Sequence, residues 1–323
     1  MKKILNFISA FYFSYSFIYN FNNKILIHFI YYLIFDISYF IFCDSNNILK
    51  NDIIIHHING LICVYSNLLL YKNNISEKVI ILDKTFALQE ITTLIISLKL
   101  IINNLSIKKY LNYILSIIWI PLRIILPYYC IYNYYESTYL DNIYFKIKII
   151  TTSIFLLLNI KWALLSLKII DNSNHYSSLL LLLPILSIKK NIIIFNLILL
   201  TSLFSFIYNM KKNRLTISLD TSFMSILCLK LGYNLNLNYL FLILIILFTT
   251  KYYFTKSEIH SLLLIFTFIH KFSINPRIYY YCLFSVLFSY LYRHFKKVPF
   301  LWHLSVSISI ILGINNNLYI INY

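Results

Sequence analysis

The chain has 323 residues, of which 60% are hydrophobic and only 12% are charged, and its mean hydropathy is +0.74. Because roughly a quarter of the residues in a soluble domain are charged, this composition excludes an ordinary water-soluble globular protein. The formal net charge of +17 would suggest a nucleic-acid partner in a soluble chain, but we expect the basic residues in short loops between apolar segments, where they meet anionic lipid headgroups.

Apolar segments recur from one end of the chain to the other. A helix needs about 17–25 mostly apolar residues to cross the hydrocarbon core of a membrane. We therefore predict an all-α, polytopic transmembrane helix bundle with about thirteen spans, roughly six followed by seven. The predicted spans are residues 4–20, 25–43, 53–71, 85–102, 111–132, 147–169, 176–188, 191–210, 216–233, 237–252, 259–274, 278–293 and 299–320.

One polar stretch, residues 171–175, separates the two groups of predicted spans. It predicts a first membrane domain over residues 1–170 and a second over residues 176–323. Basic residues favour the cytoplasmic side of a membrane. With a cytoplasmic N-terminus, the loop containing Lys108 and Lys109 is cytoplasmic, and the acidic loop containing Glu136 lies on the opposite side.

The first half carries ionisable residues inside or at the ends of its predicted spans, where each costs free energy unless it is paired or hydrated. They are Asp36, the pair His56 and His57, Glu90, and Arg123. One interpretation is structural, with Asp36 or Glu90 neutralising Arg123 and with the histidines bonded to neighbouring hydroxyls. The other interpretation is a polar functional chamber within the membrane.

Taken in chain order, these residues resemble the motif series of the TLC membrane domain. The series consists of an aspartate in an aromatic helix, a double histidine, a Glu-x-Ser/Thr-Thr helix, an Arg-x-x-x-Pro helix and a late Asn-x-x-Trp. In this chain the corresponding positions are Asp36, His56–His57, Glu90 to Lys99, Arg123 to Pro127, and Asn159 with Trp162. The resemblance covers roughly residues 20–170 and implies a role in membrane lipid metabolism or homeostasis, in membranes of the endoplasmic-reticulum type.

The TLC family includes ceramide synthases, and this implies a specific chemistry. One imidazole of the pair His56 and His57 would activate or carry an acyl group from acyl-CoA to a lipid amine, a role that suits a side chain titrating near neutrality. Asp36 and Arg123 would orient or counter-charge the chamber. Glu90 completes the set of candidate catalytic residues implied by the resemblance.

A non-enzymatic protein that senses lipids or assists trafficking is the second interpretation. The synthase branch carries an acidic Asp-x-x-Asp pair after the histidines, whereas this chain has Gln89-Glu90-Ile91-Thr92. The predicted topology also places His56 and Glu90 near opposite membrane faces, more than about 10 Å apart along the membrane normal. Direct cooperation between them is therefore expected only if the segment 72–102 is re-entrant. A transporter with polar residues near the midplane is a further alternative.

The second half contains Ser205, Asn209, Asp220 and His303, which the predicted topology places near one membrane face. This arrangement resembles the seven-helix hydrolase superfamily of hemolysin III, the alkaline ceramidases and the adiponectin-type receptors, in which histidines hold zinc. Asp220 and His303 would be the corresponding metal ligands. Asn209 stands where that superfamily has a histidine, so we expect no working zinc site and a degenerate, hydrolase-like half.

Overall fold

The computed structural model describes residues 2–19, 23–42, 50–71, 77–137, 142–166, 176–188, 191–233, 235–254 and 299–315. Within these ranges the chain is helical and has no strand, so the predicted all-α class is confirmed for them. The chain divides into two compact units, Met1–Leu164 and Leu165–Tyr323. The polar stretch 171–175, which the sequence proposes as a boundary, lies outside the described residues.

The first unit consists of helices joined by short connections. They are α1 (Lys2–Tyr19), α2 (Asn23–Phe42), α3 (Lys50–Tyr71), α4 (Glu77–Ala87), α5 (Glu90–Ile101), α6 (Leu105–Ile120), a π-helical turn (Pro121–Ile125), α7 (Leu126–Tyr135) and α8 (Ile143–Ser166). Helix α2 packs against α3, and α1 packs against α5. Phe13, Ile25, Leu26 and Val64 form a buried apolar cluster where α1, α2 and α3 meet.

The segment predicted as one span over residues 85–102 is broken in the structure. A turn at Leu88 and Gln89 separates α4 from α5, and its amides bond three residues back, as in the Gln89 N–H to Phe86 carbonyl contact of 3.3 Å. Such bonds tighten the backbone relative to the α-helix. Glu90 consequently stands at the first turn of a new helix rather than within a continuous span.

One long helical stretch, Leu105–Tyr135, comprises α6, the π-helical turn and α7. Asn104 caps its beginning, since the side-chain oxygen accepts bonds from the amides of Ser106 and Ile107 at 2.9 and 3.2 Å. The π-helical turn begins at Pro121, which has no amide hydrogen to donate. Only 22% of the apolar part of this helix is buried. Most of its apolar side chains therefore face outward.

The second unit is also helical. Its described elements are a 3₁₀ helix (Ser177–Ser187), α9 (Ile192–Met210), α10 (Arg214–Tyr233), α11 (Leu237–Tyr253) and α12 (Pro299–Asn315). The 3₁₀ helix packs against α12 and α9, while α10 packs against α9 and α11. Ile226, Leu229, Leu240 and Leu247 form a buried cluster between α10 and α11.

Four helices of the described part are long and apolar enough to cross a membrane, which is compatible with an integral membrane protein. They are Asn51–Leu70, Leu105–Tyr135, Ile143–Ser166 and Ile192–Met210. The predicted count of about thirteen spans is not supported. The segment 85–102 is broken, the 11-residue 3₁₀ helix reaches only about 22 Å, and the segments 259–274 and 278–293 lie outside the described residues.

Candidate functional site

The adjacent histidines near the beginning of α3 have different partners. The Nε2 atom of His57 lies 3.4 Å from Oδ2 of Asp36 on α2. The His56 ring packs instead between two aromatic side chains of α8, with centroid distances of 4.8 Å to Phe155 and 5.3 Å to Trp162. The two imidazole rings are 5.7 Å apart and nearly perpendicular.

The Asp36–His57 contact is buried, with 6% of the aspartate side chain and 11% of the histidine side chain exposed. At 3.4 Å the contact is longer than a typical hydrogen bond. A carboxylate beside an imidazole orients the ring. The structure therefore joins two of the residues selected from the sequence into one acid–base pair.

Arg123 lies buried in the π-helical turn and bonds to α5. Its Nε and Nη2 atoms donate to the hydroxyls of Thr92 and Thr93, each at 2.5 Å, and its guanidinium carbon lies 5.7 Å from the Trp119 ring centroid. Among the described residues Arg123 forms no ion pair with a carboxylate. The proposed neutralisation of Arg123 by direct contact with Asp36 or Glu90 is therefore absent from this part of the structure.

A cavity opens beside His56 in the first unit. Its volume is about 70 Å³, which is room for several water molecules. Its apolar wall includes Leu26, Phe29, Leu33, Val64, Phe86 and Phe155. Its polar wall includes His56, Asn67, Asp83, Gln89, Glu90 and Lys148. The cavity thus combines an apolar surface with a concentrated set of polar groups.

His56 and Glu90 border this same cavity. The predicted placement of these two residues near opposite membrane faces assumed a continuous helix over residues 85–102. Because the turn at Leu88 and Gln89 starts a new helix, Glu90 lies at the beginning of α5 and faces the space that His56 also faces. The described structure therefore brings together four of the five candidate catalytic residues, Asp36 and His57 as a pair and His56 and Glu90 around the cavity.

Two buried lysines on α8 were missed by the sequence interpretation, which placed the basic residues in loops. Lys161 Nζ lies 2.6 Å from Oδ1 of Asp52 on α3, and both residues are almost fully buried. The other oxygen of Asp52 accepts a bond of 3.2 Å from the indole nitrogen of Trp162. Asp52 therefore ties two consecutive residues of α8 to α3.

Lys148 is the second buried lysine, and it forms an ion pair with Asp83 of α4. The Tyr134 hydroxyl donates to the same carboxylate oxygen at 2.6 Å, and the Lys148 ammonium lies 4.6 Å from the centre of the Tyr134 ring. The signal for both lysines was present in the sequence, since each interrupts the apolar segment 147–169 and a charge inside the membrane requires a partner.

Amide side chains complete the interior of the first unit. Asn159 donates to the Gln89 side-chain oxygen at 3.5 Å, and Asn59 donates to the Thr151 carbonyl at 2.7 Å. Both asparagines are buried. Gln89 thus holds the turn between α4 and α5 against α8.

In the second unit, His303 and Asp220 both contact Ser205. The His303 Nε2 atom lies 3.0 Å from the Ser205 hydroxyl, and its Nδ1 atom lies 3.1 Å from the Ser177 hydroxyl. Ser205 is also hydrogen-bonded to Asp220. Asn209 is buried one turn after Ser205 on α9. The predicted candidate ligands therefore lie around one serine in the interior of this unit.

These residues do not fit a catalytic zinc ion. Such sites use three protein ligands that each offer an electron pair to the metal. Both ring nitrogens of His303 are engaged by serine hydroxyls, and no group of three or more His, Cys, Asp or Glu suited to a metal occurs among the described residues. Asn209, whose side chain is a neutral amide, supplies only a weak ligand.

Comparisons with known proteins yield no relative for this chain. No protein-family model, no curated protein and no solved structure matches it. The functional interpretation therefore depends on the residues and geometry described above.

Proposed function

We propose that this chain is a multi-pass membrane protein that acts in membrane lipid metabolism or homeostasis through a TLC-like first domain. One observation carries the proposal: an imidazole, His56, faces an apolar-walled cavity, and the adjacent His57 is paired with buried Asp36. The apolar wall suits a hydrocarbon chain, while the polar wall suits a headgroup. Membrane lipids are the partners that this arrangement favours, and the resemblance favours endoplasmic-reticulum-type membranes.

As an enzyme, the protein would be an acyl-CoA-dependent N-acyltransferase. His56, which reaches the cavity, would take the proton from an attacking lipid amine, or would itself attack the thioester and carry the acyl group. In either route the carbonyl–sulfur bond breaks, the thiol leaves with a proton, and an amide forms. Asp36 would hold and orient His57 beside His56, and no metal is required.

A non-enzymatic lipid-binding role is the second candidate, and a specific observation favours it. Two of the residues that stand in place of the acidic motif are engaged in packing: Thr92 accepts a bond from Arg123, and Gln89 accepts a bond from Asn159. In this role the cavity would bind lipid without transforming it. The second unit would then be a scaffold without its own chemistry.

The deciding experiment is expression in cells that lack their own ceramide synthases, followed by quantification of N-acylated long-chain amines. The comparison is wild type against a His56→Ala/His57→Ala variant at matched abundance, with His28→Ala, an exposed histidine, as the control. N-acyl lipids from wild type and His28→Ala, but not from the double variant, establish acyl transfer. If none of them makes N-acyl lipids, acyltransfer is excluded. In that case, a lipidome that changes when the wild-type protein is expressed supports lipid binding. An unchanged lipidome contradicts both the acyltransferase and the lipid-binding candidate.

A further inference from the structure

The His56 ring is held by aromatic packing. It makes no hydrogen bond with any described residue, and its buried Nδ1 atom has no partner there. Its neighbours are aromatic faces and edges, with Phe155 at 4.8 Å and Trp162 at 5.3 Å. A side chain without hydrogen bonds takes its orientation from the groups packed around it. The position of His56 therefore depends on what fixes those two rings.

Trp162 is fixed by Asp52. The indole nitrogen donates to Asp52 Oδ2 at 3.2 Å, while Oδ1 of the same carboxylate binds Lys161 at 2.6 Å. Both charged side chains are at most 1% exposed, so water does not compete for these contacts. Asp52 lies one helical turn before His56 on α3, at the spacing that places both side chains on one face of the helix.

We infer that Asp52 is a positioning residue which, through Trp162, holds a cover of aromatic rings over the side of the His56 imidazole that faces away from the cavity and keeps water from that side. The cover leaves His56 open toward the cavity, which the ring also borders. This inference rests on the proposed function, in which His56 faces a lipid in the cavity. Asp52 and Trp162 would then shield the imidazole that faces this lipid. In the acyl-carrying route, shielding would favour transfer to the lipid amine over attack by water.

Ethoxycarbonylation by diethyl pyrocarbonate tests the inference directly, because this reagent places an acyl group on an exposed imidazole nitrogen and ethanol and carbon dioxide leave. The full-length protein is purified in detergent, modified for increasing times, digested and analysed by mass spectrometry to give a rate for His56. The exposed residue His28 in the same sample gives the reference rate.

Three variants separate the contributions. Trp162→Phe keeps an aromatic ring but loses the donor to Asp52. Asp52→Leu/Lys161→Met loses the bond to Trp162 without leaving a buried lysine unpaired, and Asp52→Asn/Lys161→Met retains an oxygen that can accept from Trp162. We expect the His56 rate to rise about fivefold in Trp162→Phe and Asp52→Leu/Lys161→Met, the factor that corresponds to one net hydrogen bond, and less in Asp52→Asn/Lys161→Met, with His28 unchanged throughout.

Trp119→Phe is the matched control, since the buried indole nitrogen of Trp119 has no hydrogen-bond partner among the described residues. It should leave the His56 rate unchanged. A wild-type rate for His56 in Trp162→Phe overturns the inference, and so does a parallel rise at His28 and His56, which marks general loosening. The modification experiment needs no lipid substrate, so it can confirm the shielding of His56 even if the protein makes no N-acyl lipid. Conversely, the shielding can be refuted in a protein that does make N-acyl lipids.

Discussion

Single charged side chains organise the interior of the first unit. Lys148 and Lys161 project from α8, and each is paired with an aspartate on another helix, Asp83 on α4 and Asp52 on α3. Removing such charges from water costs several kcal/mol, which is recovered only when both partners are present with good geometry. These pairs therefore fix which faces of α3, α4 and α8 meet, and the cavity forms among the helices that they hold.

Removal of one partner should be far more harmful than removal of both. In Lys148→Met, Asp83 remains buried without its cation, which costs about 3–5 kcal/mol and lowers the apparent melting temperature by roughly 5–10 °C. The double variant Asp83→Asn/Lys148→Met removes both charges and should recover most of this loss. The measurement is thermal unfolding of the purified protein in detergent.

The control for this prediction is Lys109→Met, which removes an equal charge from an exposed position and should change the melting temperature very little. If the double variant were as unstable as Lys148→Met, the destabilisation would come from lost packing of the lysine chain rather than from an uncompensated carboxylate.

Sequence reasoning identified some of these residues and missed others for a physical reason. Asp36 and His57 stand out because each is ionisable within an apolar segment, but their contact was not foreseen. Lys161 stands out in the same way. Its partner Asp52, however, lies in the first turn of α3, where an acidic residue is common and gives no sign of a partner on another helix. Pairing across helices is a tertiary property, and hydropathy along the chain does not encode it.

Among the elements, the turn between α4 and α5 was the least predictable. Hydropathy favours a continuous span over residues 85–102, and neither glycine nor proline marks an interruption. Side chains from other helices bond to this region: Asn159 donates to Gln89, and Arg123 donates to Thr92 and Thr93. These tertiary contacts lie at the break. By contrast, the apolar lengths of α3, α8 and α9 predicted helices correctly, because length and hydropathy are local properties.

The contacts of Arg123 should stabilise this part of the fold. In Thr92→Val/Thr93→Val the buried guanidinium loses both of its hydroxyl acceptors, at about 1.5–3 kcal/mol for each bond to a charged group. We expect a clear loss of thermal stability and faster proteolysis near the α4–α5 turn. Limited proteolysis with mass-spectrometric mapping of the cleavage sites measures the second effect.

The matched control is Thr85→Val, in which the lost hydroxyl bonds only to the Ile81 carbonyl one turn back in its own helix. Its stability should stay close to that of wild type. Equal effects of the two variants would mean that Arg123 does not depend on the threonines of α5.

At the scale of the whole molecule, the sequence predicted about thirteen membrane spans. In the described part, four helices are both long and apolar enough to cross a membrane. Several predicted spans coincide with helices that are shorter, broken or interrupted by charges, such as α4, α5 and α10. The apolar character of this chain is spread widely, with large hydrophobic side chains exposed on α2, α6 and α11. High average hydropathy therefore indicates a lipid environment but does not fix the number of crossings.

The clearest test of orientation uses the helix Leu105–Tyr135. Its 31 residues extend about 46 Å, which exceeds the roughly 30 Å of the hydrocarbon core, so its ends should lie on opposite sides of the membrane. In a background with the native cysteines replaced, Asn103→Cys should react with an impermeant maleimide from the cytoplasmic side only. Glu136→Cys should react from the other side only. Both positions are exposed. A variant retaining only buried Cys63 should resist labelling from either side.

Labelling of Asn103→Cys and Glu136→Cys from the same side would contradict this orientation. It would mean that the helix lies along the membrane surface or within a soluble assembly. The membrane arrangement proposed for the first unit would then have to be abandoned.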